Sequence, residues 1–239
     1  MASALSAFSA ALRDIWAPRL LALLLVPLLA ALAVWGVLGW LLADDWGRWV
    51  SGWIAESRWL AWARNMALDS VLVWTSGIMA FALLLPIVLV TAVLATEIVA
   101  MPVIVPWVAG RRFPGLERRK GGTLTGSALN AVTAITVFIT LWVVTLPLWF
   151  TGVGALVLPP LLSAYLNQRL FRYDALAEHA SAEEYRAILV RAKGSLFLLG
   201  LMLAALYYVP LVNLAAPVLS ALAFTHFCLG ELARLRGNR

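Results

Sequence analysis

The sequence predicts an all-α integral membrane protein with two long transmembrane helices, two re-entrant, partly penetrating helical hairpins and an interfacial Trp-rich helix. Three observations carry this. Hydrophobic residues make up 63% of the chain and charged residues 13%, with mean hydropathy +0.92, against about 25% charge in a soluble domain. Several apolar runs are longer than the core helix of a globular protein. Basic residues gather between these runs, where they meet anionic headgroups and set orientation. The net charge of +6 is therefore a membrane-flank signature, and the expected partner is the lipid bilayer, not nucleic acid. The chain reads as a single membrane domain, residues 1–239.

Helix one covers residues 18–43, "PRLLALLLVPLLAALAVWGVLGWLLA". Its 26 residues give about 39 Å of helix, enough to cross a hydrocarbon core of about 30 Å with tilt. Pro27 should kink it, and Trp35 and Trp40 approach the far interface. The run is too long for a signal-peptide core and lacks a small-residue cleavage site, so a retained helix is expected.

The interfacial segment spans residues 44–69. Trp46, Trp49 and Trp53 share one helical face, with Arg48, Glu56, Arg58 and Arg64 interspersed. Such a pattern suits a helix lying in the membrane interface. The next apolar run predicts one long kinked helix over 70–108, its last turns breaking at Pro102, because no polar turn divides it. "RRFPGLERRKGG" follows, with five basic residues against Glu117, and the positive-inside rule places it in the cytoplasm.

Hairpin one covers 123–168, two apolar arms around "LPLWFTGVGALVLPP". Hairpin two covers 194–233, arms of roughly 16 residues around "YVPLVNLAAP", about 24 Å each and short of a crossing. The cytoplasmic segment between them, 169–193, is basic, and so is the C-terminus with Arg234, Arg236 and Arg239. Both hairpins therefore enter and leave on the cytoplasmic side, and both termini are cytoplasmic. Two short full spans with a tight periplasmic turn are the other reading of hairpin two. Ser181 and Glu184 have capping-box spacing for a helix after His179.

Chemistry-bearing patterns are sparse. His179 and His226 have no acid or thiol at ligand spacing, and no nucleophile elbow, phosphate loop or dinucleotide fingerprint occurs. No catalytic residue, metal, cofactor or enzymatic activity is expected, and Cys228 reads as a packing residue. What remains are polar groups in apolar segments. Glu97 is an intramembrane acid, either functional or held protonated or hydrogen-bonded. Asn130, Thr133, Thr136 and Thr140 line the first arm of hairpin one, the threonines within an arc of about 60°. They either line a polar path for solute or hydrogen-bond to a neighbouring helix. Asn213, at the tip of hairpin two, reads as a turn residue.

"PRLLALLLVPLL", "ATEIVAMPVIVP", "LPLWFTGVGALVLPPLLSAYLNQRLFRYDAL" and "YYVPLVNLAAPVLSALAF" together resemble the CysZ sulfate permeases and the wider etoposide-induced protein family. The resemblance covers nearly the whole chain. It implies two long transmembrane helices with two hairpins, a homo-oligomer in the bacterial inner membrane, and uptake of sulfate or another small solute. The alternative it carries is a non-transporting member acting in membrane assembly or envelope homeostasis. The permeases bear a Gly-aliphatic-Arg-Arg sulfate motif after the proline that opens helix one. Here Arg19-Leu20-Leu21-Ala22 follows Pro18, leaving Arg19 as the basic candidate for substrate binding, with Asn130, Thr133 and Thr140.

Overall fold

The computed structural model describes residues 4–42, 45, 48, 52, 69–209 and 212–237. Among the described residues the chain forms eight helices and no strand. They are α1 (Ala4–Asp14), α2 (Pro18–Leu41), α3 (Asp69–Arg112), α4 (Leu124–Trp149), α5 (Val153–Ala177), α6 (Ala182–Arg191), α7 (Lys193–Leu206) and α8 (Val212–Leu235). Trp46, Trp49 and Trp53 of the expected interfacial helix lie outside the described residues. Among the described residues, three helices are long and apolar enough, by length and composition, to cross a membrane: α2, α4 and α8. The pair α6–α7 makes a fourth candidate if counted as one span bent by 76° at Ala192.

Helix α1 is absent from the sequence expectations, although Leu5, Phe8, Leu12 and Ile15 recur at helical spacing. It stops at Asp14, whose carbonyl accepts from Ala17 N at 2.9 Å. Pro18 then occupies the first position of α2, where its missing N–H costs nothing and its fixed φ is already helical.

Helix α3 runs 44 residues without interruption. The expected break at Pro102 does not occur, and the helix continues through Pro106 to Arg112. An interior proline costs about 3 kcal/mol in helix propensity. Met101, Ile104, Val105 and Val108 on these same turns are buried in the core, and that packing keeps the helix continuous.

The fold divides into two units, Leu25–Ala95 and Met1–Leu24 with Thr96–Arg239. In the first, Ala31 packs with Val88 and Ala92, and Trp35 Nε1 donates to Thr91 Oγ1 at 3.0 Å. Gly39 faces Leu84, so residue numbers rise along α2 as they fall along α3, and these stretches run antiparallel.

The second unit is built around α8. Every residue from Ala216 to Leu229 is buried, as a helix apolar on all sides requires. Phe171 of α5 stacks on Phe224 of α8 at 5.9 Å, and Leu196, Leu199 and Leu203 bring in α7. Gly200 of α7 sits so close to α5 that a Cβ there would lie 2.7 Å from the Ala164 carbonyl oxygen.

The hairpin arms are unequal. Helix α7 has 14 residues, about 21 Å, while α8 has 24, unlike the two arms of roughly 16 expected. Helix α4 of hairpin one has 26 residues, about 39 Å. Gly152, with φ +73°, supplies the left-handed turn at its tip.

Candidate functional site

Polar chemistry in the second unit gathers where the basic loop after α3 meets the roots of the hairpins. The loop is held in extended register along the α5–α6 corner. Lys120 N donates to Glu178 O at 3.0 Å, Gly121 N to Ala180 O at 3.0 Å and Gly122 N to Ala177 O at 2.9 Å. Thr123 caps α4, its Oγ1 accepting from Gly126 N at 3.0 Å. The capping box expected at Ser181 forms in full: Glu184 N donates to Ser181 Oγ and Ser181 N to Glu184 Oε2.

These constraints frame a cavity of about 680 Å³. One wall is apolar: Ile98, Met101, Pro102, Val105 and Pro106 of α3. Opposite stand Arg118, Lys120, Ser127, Asp174 and Glu178. Ser127 Oγ donates a short hydrogen bond to Asp174 Oδ1. Burial pushes the Asp174 carboxyl above its ordinary pKa, and the Ser127 hydroxyl opposes that shift. Arg118 Nη1 lies 3.8 Å from Glu178 Oε2.

Beside the cavity, Arg236 gathers the C-terminus onto the corner. Its Nε and Nη2 donate to Glu184 Oε1 and Oε2 at 2.9 and 2.8 Å, its Nη2 also to His179 O at 2.7 Å, and its Nη1 to Glu117 O at 2.8 Å. Arg119 adds a bond to Glu184 at 2.8 Å. The Arg236 hydrogen bonds foremost, then the Ser181 amide and the two arginine charges, hold Glu184 down to about 2. Burial, helped by the Arg118 charge, lowers the pKa of His179.

A second cluster joins three distant parts of the chain. Arg112 Nη2 donates to Asp14 Oδ1 at 2.7 Å, and His226 Nε2 lies 2.9 Å from Asp14 Oδ2. The Asp14 and His226 atoms are close enough for an ion pair but not aligned as a hydrogen bond. Helices α1, α3 and α8 are thereby fastened at one level.

The residues singled out in the sequence do not converge. Arg19 is exposed on the first turn of α2. Asn130 Nδ2 donates to Arg169 O at 3.0 Å and joins α4 to α5. Thr133, Thr136 and Thr140 are exposed, and each hydroxyl donates to the carbonyl four residues back in its own helix, at 2.7 to 2.8 Å. Among the described residues these hydroxyls bond to their own helix, whose carbonyls lie within reach. Asn213 is exposed at the start of α8, its amide bonded to Val209 O at 3.1 Å. Glu97 belongs to α3, and its side chain is outside the described part. Arg19, Asn130, Thr133 and Thr140 are not among the residues lining the cavity. Asp174 and Glu178 escaped sequence reading because a balanced charge pattern reads as a solvated helix; only the loop's basic run pointed here.

No curated protein and no solved structure matches the chain. The family model described as Sulfate transporter CysZ/Etoposide-induced protein 2.4 matches residues 7–217. That match runs from α1 into α8 and takes in the cavity, so the chain belongs to the sulfate transporter CysZ/etoposide-induced protein 2.4 family.

Proposed function

We propose that this chain is a multi-pass transport protein of the bacterial inner membrane that moves sulfate or another small solute into the cytoplasm. The family match over residues 7–217 is the observation that carries the reading. The arrangement of basic loop, hairpin roots and C-terminus supports a cytoplasmic face built from these parts, with both termini on it. Hairpin two is read as re-entrant because α7, at 14 residues, is too short for a hydrocarbon core of about 30 Å. Hairpin one, rooted on the same side, has one arm, α4, long enough to reach the far interface. The Trp-rich segment is read as interfacial, and the working form as a homo-oligomer. Arg19 is the basic group offered to the solute on α2, and Asn130, Thr133 and Thr140 are the polar groups offered by hairpin one.

A second reading, a non-transporting member in membrane assembly or envelope homeostasis, is favoured by the dispersal of these four residues. Sulfate needs several donors to replace its hydration, and no two of the four are joined by a hydrogen bond or salt bridge among the described residues. Expression in a bacterium lacking its own sulfate uptake separates the two. Growth on sulfate as sole sulfur source supports transport. Protein present in the membrane without growth rescue supports the second reading.

A further inference from the structure

The cavity between α3 and the roots of α4 and α5 is graded along its length. Its α3 wall runs from Ile98 to Pro106, about 12 Å of helix rise, and offers only apolar side chains. Ile98 is 76% exposed and Pro102 is exposed too, so the outer edge of this wall opens outward, while Met101 and Val105 close into the core. The other end presents charges of both signs: Arg118 and Lys120 with Asp174 and Glu178. Arg118 and Glu178 are both about half exposed and 3.8 Å apart, near enough to balance but too far for a hydrogen bond. The Lys120 backbone N–H donates to the Glu178 carbonyl, which holds the two residues' backbones side by side.

We propose that this cavity holds one phospholipid with a zwitterionic, primary-ammonium headgroup, of phosphatidylethanolamine chemistry. An acyl chain lies along Ile98 and Pro102; the phosphate faces Lys120 and Arg118; the ammonium faces Glu178 and Asp174. A small inorganic anion has no use for the apolar wall and meets two acidic side chains, Asp174 and Glu178. A lipid with uncompensated negative charge meets those same carboxylates. The zwitterion answers both signs and the wall together. Depth agrees: Arg111 and Arg112 are in the last turn of α3, as basic residues at a headgroup boundary would be, and Ile98 lies 13 residues before Arg111, about 20 Å along the axis. This inference goes beyond transport and does not depend on which solute moves.

The test is native mass spectrometry of the full chain released from nanodiscs of equal phosphatidylethanolamine and phosphatidylglycerol. One phosphatidylethanolamine per chain is expected, in preference to phosphatidylglycerol. Two exposed positions give separable readouts without threatening the fold. Lys120→Asn suits the left-handed backbone (φ 47°) and should lower lipid retention about five-fold, as loss of one headgroup cation does. Glu178→Gln unpairs Arg118 and should shift preference toward phosphatidylglycerol. Equal retention of the two lipids by the wild type overturns the proposal, as does retention unchanged in both variants. Displacement of the lipid by millimolar sulfate or phosphoethanolamine also overturns it, since the acyl wall would then contribute nothing.

Discussion

Arg236 stands two residues beyond the last long apolar run, yet it is nearly enclosed, with a side chain 9% exposed. Its fork meets both oxygens of Glu184, a geometry that a lysine ammonium cannot reproduce. Arg236→Ala leaves Glu184 with Arg119 and the Ser181 amide, and removes a donor from the Glu117 and His179 carbonyls. It should lower stability by about 3 kcal/mol, as breaking a buried pair does, read as a drop in thermal midpoint in detergent. Acidity should act on the same corner. Glu184 is an acid held at about 2 against an ordinary 4.5, so its stabilisation is complete above 4.5 and is lost as pH falls toward 2. His179, buried neutral and lowered from 6.5, acts in the same direction from 6.5 downward. The wild-type midpoint should therefore fall on acidification below 6.5 and more steeply below 4.5, with the steeper part blunted in Arg236→Ala. A midpoint flat from pH 7 to 3 contradicts this account.

Helix contacts carry the next level of specification. Where α7 crosses α5, Gly200 lets the backbones approach, and the atom a new Cβ would strike is a carbonyl oxygen that cannot swing aside. Gly200→Ala should cost about 2 kcal/mol through forced separation of the helices, measured by the same melt; an unchanged midpoint means the approach is looser than described. The threonine row on α4 behaves differently. Because each hydroxyl bonds within its own helix, Thr133→Val and Thr140→Val should change stability by less than about 0.5 kcal/mol. A larger loss assigns them a partner on another helix. Elements with a strong local signal were legible before the fold was known: the span from Pro18, the hairpin turn before Gly152, the capping box at Ser181. Helix α3 was legible in type and nearly in extent, 70–108 against Asp69–Arg112; the expected break at Pro102 was not, since burial of Ile104 and Val108 overrules a local stop. Helix α1 has the periodicity of an amphipathic helix but is overshadowed by the apolar run that follows it.

At the scale of the whole chain, composition and apolar run length specify a membrane protein, and the family match over residues 7–217 agrees. The clusters that tie its distant parts together were not legible. Asp14, Arg112 and His226 are about a hundred residues apart in succession, and the cavity draws its lining from α3, a loop, α4 and α5. Neither has a local spacing to read, because only packing around α8 brings these residues together. Sequence candidates chosen for polarity inside apolar segments, Thr133 and Thr140 above all, turn out to satisfy their own helix. Arg19 is exposed at the head of α2, and its proposed part in binding the solute is open to direct test. The most direct measurement is uptake of labelled sulfate into proteoliposomes containing the purified, folded chain. The account predicts saturable uptake above protein-free vesicles, reduced several-fold by Arg19→Ala. Uptake no greater than in protein-free vesicles contradicts sulfate transport, and wild-type uptake in Arg19→Ala removes Arg19 from the path.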